Sequence, residues 1–387
     1  VIGTIIDELH FADGTVLRSA DILSRLVRGA GNVISGTVGE DLLNGTSVSE
    51  VVSGGGGNDR LNGGSGHDWL YGGEGDDIIN GQAGSDVMYG GAGNDLFVVD
   101  TVSDTVMENH GEGVDTVRSY IDYHLFAHLE NLTLLGSGNI NAYGNYQDNV
   151  LIGNSARNYM VGAGGDDTLD GRGGGDHLSG EMGNDTYIIR SVDDEVLEYS
   201  GQGVDTVKSY VDYRLGDEVE NLSLLGDSVS AFGNSLDNVI KGGSGNNTLQ
   251  GMGGNDRLYG GLGSDTYVFA RGDGLDYIVE QGAALGDTDS LRFENVNHDQ
   301  LWFQLKGTTL EVSIVGAGDK VRVANWDSAD SQLETFIAAD GYTLTNQAVL
   351  NLVQAMAAFS PPRLGVTDIP VDIRSALEPV IAANWQA

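Results

Sequence analysis

Carboxylates recur in this sequence at a fixed interval. Asp59, Asp68, Asp77, Asp86 and Asp95 each hold the sixth place of a nine-residue unit, with Gly first and fourth and a large apolar residue eighth. The units read GGGGNDRLN, GGSGHDWLY, GGEGDDIIN, GQAGSDVMY and GGAGNDLFV. Glycine at this density permits backbone conformations that turn several carbonyls toward one point, and the Asp places a carboxylate at the rim. Such a turn is a half-cage of oxygens. Stacked on a like turn it offers a hard cation roughly six oxygen ligands, which suits Ca²⁺ far better than Zn²⁺ or Mg²⁺. An acid pair repeated every nine residues is a ladder of ligands and not one tuned acid–base dyad.

The elements that position these groups follow from the same spacing. A period of nine broken by glycines cannot keep a helical face, so each unit reads as a six-residue turn followed by a three-residue strand. Units run without a gap over residues 27–98, where three worn copies keep Asp41 and Glu50 in the sixth place. A second run over 144–188 has Asp167, Asp176 and Asp185 after Asn149 and Asn158. A third, 233–281, has Asp256 and Asp265 after Asn238 and Asn247, then a partial unit with Asp276. The candidate glycine ligands are Gly54, Gly56, Gly63, Gly72, Gly81 and Gly90, then Gly162, Gly171 and Gly180, then Gly251 and Gly260. One buried apolar residue per unit stabilises less than the ordering of nine residues costs, so the array is expected to be unfolded without cations.

Composition narrows the function classes. The 387 residues include 19 Lys and Arg against 57 Asp and Glu, a net charge of −38, which makes nucleic acid and anionic membranes poor partners. There is no Cys, hence no disulfide framework and no thiolate chemistry. No apolar run is long enough to span a membrane, and the start at Val1 has no signal-peptide pattern. Residues 6–26 match the pattern of 333–353, with Asp13-Gly14 on Asp340-Gly341, so residues 1–26 are expected to be the tail of an earlier copy of the C-terminal module.

Two segments separate the runs, 99–143 and 189–232, and they are copies of one another, with EGVDTVRSYIDYHLFAHLENLTLLG answered by QGVDTVKSYVDYRLGDEVENLSLLG. Their alternation argues short strands, expected to continue a solenoid as wider coils. The shared acids Asp115, Asp205, Asp122, Asp212, Glu130 and Glu220 are expected to cap turns. His124 and His128 have the spacing of two zinc ligands on a helix, but Leu125 stands where a zincin has Glu, and the copy has Arg214 and Glu218. Exposed variable positions are the simpler reading.

Residues 282–358 read as three strands, a strand pair about the Asp340-Gly341 turn, and a helix capped by Asn346 with Val349, Leu350, Val353 and Met356 on its inner face. Trp302, Phe303, Trp326 and Phe336 are expected in the core. All four prolines lie in the tail, 359–387.

The nonapeptides resemble the haemolysin-type calcium-binding repeats of the repeats-in-toxin (RTX) family. That resemblance implies an all-β fold: a parallel β-roll with two units per coil and several Ca²⁺ held between stacked turns. It pairs Asp59 with Asp77, Asp68 with Asp86, Asp77 with Asp95 and Asp167 with Asp185. Its apolar stack comprises Leu61, Leu70, Ile79, Met88 and Phe97, then Leu169, Leu178 and Tyr187, then Leu249, Leu258 and Tyr267. Residues 282–358 resemble the module related to haemolysin-type calcium-binding proteins, and the tail resembles the secretion region of proteins exported by type I machinery. The function implied is a secreted, extracellular calcium-binding region that folds outside the cell beside an upstream passenger. No H-E-x-x-H, G-x-S-x-G or P-loop is present, so the fragment is not expected to be an enzyme. The alternative is a module binding glycan or a cell surface through exposed aromatics, Tyr120, Tyr123, Tyr210 and Tyr213 among them.

Overall fold

The computed structural model describes residues 32–280 except Ser228, residues 286–387 except Thr367, and two short strands nearer the start, Glu8–His10 and Val16–Arg18. Most of 1–26 lies outside the described residues. The two early strands pair antiparallel with Glu8 opposite Arg18, matching in register the later pair Thr335–Ile337 and Thr343–Thr345, where Thr335 lies opposite Thr345. The chain divides into two compact units, residues 1–186 with 193–196, and residues 187–192 with 197–387.

Each unit contains a parallel β-solenoid. In the first, successive nonapeptides supply strands alternately to two parallel sheets, so partners within a sheet are two units apart: Leu42 lies beside Arg60, Arg60 beside Ile78 and Ile78 beside Leu96. The facing sheet repeats the step, with Val51 beside Trp69, Trp69 beside Val87 and Val87 beside Thr105. Side chains alternate across a strand, so the eighth place of every unit points between the sheets. Leu61, Leu70, Ile79, Met88, Phe97, Leu169, Leu249 and Tyr267 are accordingly fully buried. The strands of the first run exceed the expected three residues. Arg60–Gly66 and Ile78–Gly84 have seven residues each, because the stacked turns also pair, Gly64 with Gln82 and Gly66 with Gly84.

The segment 99–143 does continue the solenoid, but not as uniformly wider coils. Leu96 pairs with Thr116, Thr116 with Asn131 and Asn131 with Val150. The first and last steps are longer than eighteen residues and the middle one is shorter, so the coil returns to phase where the second run begins. Burial holds through the change, with Val117, Leu132 and Leu151 fully buried.

In the second unit the roll passes directly into the C-terminal module. Leu275–Ile278 pairs in parallel with Lys320–Val323, which belongs to an antiparallel meander with Leu301–Lys306 and Thr309–Ile314. Trp302, Phe303, Trp326 and Phe336 are buried at 2% exposure or less. Glu311, at 1% side-chain exposure, meets Lys306 at 2.8 Å, Arg322 at 2.8 Å and Lys320 at 3.6 Å, and these cations hold its carboxyl below the usual range despite burial.

The helix α1 spans Asn346–Met356 and its cap is Thr345, not Asn346: Thr345 Oγ1 accepts from the Ala348 amide. The inner face also differs from the one read from spacing. Val349, Leu352 and Met356 are buried, whereas Leu350 is 48% exposed and Val353 half-buried. The tail forms a helix that its prolines did not suggest, α2, Val371–Asn384, with Pro379 inside it. Leu377, Ile381 and Trp385 are buried, Asn351 Nδ2 donates to Asn384 Oδ1 at 2.7 Å, and Thr343 bridges to Gln386.

Replacing Leu352 by Ala should lower the stability of this module by about 2 to 5 kcal/mol, against under ~0.5 kcal/mol for Leu350→Ala. Thermal unfolding of the two variants checks this, and a larger loss at Leu350 would restore the face read from spacing.

Candidate metal centres

The sixth-place carboxylates divide their two oxygens between different tasks. Asp59 Oδ1 accepts the amide of Asp41 at 2.8 Å, Asp77 Oδ1 that of Asp59 at 2.7 Å, and Asp95 Oδ1 that of Asp77 at 2.7 Å. On the other edge Asp68 receives Glu50, and Asp86 receives Asp68, both at 2.8 Å. Each bond joins one coil to the next, so the expected pairs Asp59–Asp77, Asp68–Asp86 and Asp77–Asp95 are in contact. Asp167–Asp185 is in contact likewise, at 2.7 Å.

The other oxygen has no protein partner. Oδ2 of Asp59, Asp68, Asp77, Asp86, Asp95, Asp167, Asp176, Asp256, Asp265 and Asp276 is buried without a hydrogen bond. A buried carboxylate oxygen left this way is costly unless a cation meets it. Its neighbours are oxygens. A Cβ placed on Gly63 would lie 2.7 Å from Asp68 Oδ2 and 2.7 Å from the carbonyl of Gly81 in the next coil. One on Gly54 or Gly72 would likewise meet the carboxylate of Asp59 or Asp77 and the carbonyl of Gly72 or Gly90. First-place glycine is therefore required by the convergence of two oxygens on its Cα. Gly56 differs, since a Cβ there would meet only Val38, at 3.6 Å. Orphaned carboxylates and converging carbonyls are the donor set a hard divalent cation takes. It would supply the positive charge that these oxygens lack.

Electrostatics agree. Burial, and after it the neighbouring carboxylates, pushes Asp77 up to about 6, Asp86 and Asp95 to about 7 and Asp167 to about 8, although donated amides offset part of the rise. Asp276 is raised too, by burial and then by Asp256.

Asn and the worn units close their turns differently. Asn149 Oδ1 accepts from the Asn145 amide at 2.7 Å, and its Nδ2 donates to the carbonyls of Leu129 and Glu130, both at 3.2 Å. Asn238 repeats this with Asn234, Val219 and Glu220, Asn158 donates to Ile140, and Asn247 to Val229. The amide satisfies in hydrogen bonds what the Asp leaves open. Asp41 Oδ2 accepts from the amide and hydroxyl of Thr37, and Glu50 from those of Thr46, so neither has an orphaned oxygen.

The ladder also extends beyond the nonapeptides. Asp104 and Asp115 receive the amides of Asp86 and Asp95, Asp194 that of Asp176, and Asp289 that of Asp265. Asp104 and Asp194 were findable, standing eighteen residues after Asp86 and Asp176; Asp115 and Asp289 are displaced by the altered coil lengths. The acids expected to cap turns instead link coils: Glu130 accepts from Asp115, Glu220 from Asp205, Asp122 from Asn141 and Asp212 from Ser230. His124 lies in the strand Tyr123–His124 and His128 sits at φ 68, so no helix sets them at ligand spacing.

Residues 29–106, 143–187 and 232–267 match the RTX calcium-binding nonapeptide repeat, and 310–348 the haemolysin-type calcium binding protein related domain. The chain carries RTX calcium-binding repeats. Two Rhizobium meliloti (strain 1021) proteins share part of it. The endo-1,3-1,4-beta-glycanase ExsH is 44% identical over 62 residues, 16% of this chain and 13% of that enzyme. The endo-1,3-1,4-beta-glycanase EglC is 46% identical over 111 residues, 29% of this chain and 23% of the enzyme. The match thus spans less than a quarter of either relative. RTX repeats bind calcium, and the orphaned oxygens of this chain fit that ion. No helix among the described residues is long and apolar enough to cross a membrane.

Two outcomes follow. Gly63→Ala should displace Asp68 and Gly81, cost about 1 to 3 kcal/mol in the calcium-loaded protein and weaken calcium binding, whereas Gly173→Ala, with nothing within 4 Å, should be silent. Calorimetric titration compares them. In chelator, the raised carboxylates make the folded chain bind more protons than the unfolded one. Their stability is full below the ordinary value of 3.8 and is lost as pH rises through about 6 to 8. Circular dichroism should therefore show the chelated chain gaining β-structure on acidification, and a pH-independent spectrum would contradict the burial of these groups.

Proposed function

We propose that this chain is the calcium-responsive folding region of a larger protein exported by a type I system. It is disordered at cytosolic calcium and folds on extracellular calcium, supporting secretion, stability and surface presentation of an upstream passenger. The observation carrying this reading is the row of buried Asp Oδ2 atoms without protein partners. A net charge of −38 adds to it, because such a chain resists collapse until cations enter. The ligands proposed are the orphaned Asp carboxylates with the first-place glycine carbonyls. The relatives favour a region attached to a separate activity, since their shared part is a small fraction of each glycanase.

One arrangement favours a second reading, a glycan-binding face. His124 stacks on Tyr143 with ring centroids 4.0 Å apart and planes within 4°, and the row continues to Tyr159 at 6.3 Å and His177 at 6.5 Å. The last two contacts are tilted, by 53° and 47°, and Tyr159, 43% exposed, presents a ring against which a sugar can stack. Of the tyrosines singled out from sequence, Tyr120 and Tyr210 are exposed, but Tyr123 is buried and Tyr213 half-buried.

Far-ultraviolet circular dichroism tests the main reading: the chelated chain at neutral pH should be mostly disordered and gain β-structure at about 10⁻⁴ to 10⁻³ M calcium. A chelated spectrum equal to the loaded one would overturn it. For the second reading, Tyr143→Ala with Tyr159→Ala should abolish retardation of the calcium-loaded chain in a gel containing a mixed-linkage 1,3-1,4-β-glycan; no retardation of the unaltered chain would remove that reading.

A further inference from the structure

Within a run, the Asp oxygen is met from the next coil by the carbonyl of a first-place glycine. At the end of the first run no such glycine follows. Eighteen residues after Gly90 the chain has Glu108, which is buried at 8% exposure. Its Oε1 accepts the Gly90 amide at 2.6 Å and, with Asp95 Oδ2, crowds the point where a Gly90 Cβ would stand. Asp115, buried at 1% exposure, completes the group, and its Oδ1 accepts the Asp95 amide at 2.8 Å. Each of the three acids contributes a carboxylate oxygen within 4.8 Å of the others.

The second unit builds the same group from a different sequence. Asp265, Glu280 and Asp289 are buried at 1, 2 and 4% exposure and bring their oxygens within 4.8 Å. Asp289 Oδ1 accepts the Asp265 amide at 2.8 Å, and Tyr267 donates its hydroxyl to Glu280. In both groups the sixth-place Asp is almost fully enclosed, and its Oδ2 has no hydrogen-bond partner. Among the described residues no salt bridge reaches these six acids, while in the C-terminal module the buried Glu311 meets three cations. The fold thus neutralises a buried carboxylate with side chains where it can, and leaves these groups open.

We infer that the coils ending the first and third runs each hold a three-carboxylate calcium site, in which Glu108 or Glu280 replaces the glycine carbonyl used inside a run. A site inside a run has two carboxylates; the end site has three. Calcium affinity rises with ligand charge, so these end sites fill before the interior ones. This deepens the calcium reading above and rests on it.

Calorimetric titration of the full chain with Ca²⁺ should resolve a minority class of sites at least about tenfold tighter than the rest. Glu108→Gln and Glu280→Gln, which keep shape and acceptor, should each remove one tight equivalent and leave the weaker class. A merely structural Glu, bonded to the Gly90 amide or Tyr267, would be replaced by Gln without loss, and an unchanged tight class overturns the inference. So does a single class of equal sites in the unaltered protein, a result that needs no variant to fold. No calcium binding at all would instead sink the underlying calcium reading.

Discussion

The fold depends on a carboxylate oxygen that the polypeptide does not satisfy. Asp59, Asp68 and Asp77 each accept the amide of the neighbouring coil at Oδ1 and are left with an Oδ2 that is buried without a hydrogen-bond partner. Repeated along the edges of a roll, this brings like charges and lone pairs together at close range in a dry setting, which disfavours stacking unless positive charge intervenes. The coil-to-coil hydrogen bonds, the glycine turns and the apolar file all assume that stacking. Stability in such an array is carried by nearest-neighbour contacts.

Not every step has this requirement. The second and third runs open on Asn, whose amide nitrogen donates to the carbonyls of the preceding coil while its Oδ1 accepts an amide of its own turn. A one-atom change in side-chain chemistry converts a turn with an orphaned oxygen into a self-satisfied one. These uncharged turns adjoin the segments 99–143 and 189–232, which link coils through Glu130, Glu220, Asp122 and Asp212 to backbone amides. Coils with orphaned carboxylate oxygens and coils closed by hydrogen bonds therefore alternate along the chain. The C-terminal module adds a third physics, a conventional core around Trp302, Trp326 and Phe336 that needs no ion.

The sequence by itself determined the period, the apolar file and the recurrence of a carboxylate at the sixth place. A Gly, Asp and apolar residue at set places in nine admit few backbones, so Leu61, Leu70, Ile79 and Met88 could be named as a file and were found fully buried. Tertiary structure decided what depends on register between coils. Spacing alone could not show that Oδ1 and Oδ2 have different partners, or that Asn149 reaches the Leu129 carbonyl twenty residues back. Nor could it show that Glu108, one coil on from Gly90, turns its carboxylate onto the Gly90 amide beside Asp95 Oδ2. The face of α1 was misread at one position: a stripe through Val349, Val353 and Met356 can widen to Leu350 or to Leu352, and only packing decides that Leu352 is the buried one. Local pattern is set by residues that are neighbours in sequence and is legible there. Charge neutralisation and hydrogen-bond satisfaction are set by residues one coil away, and only the stacked chain brings them together.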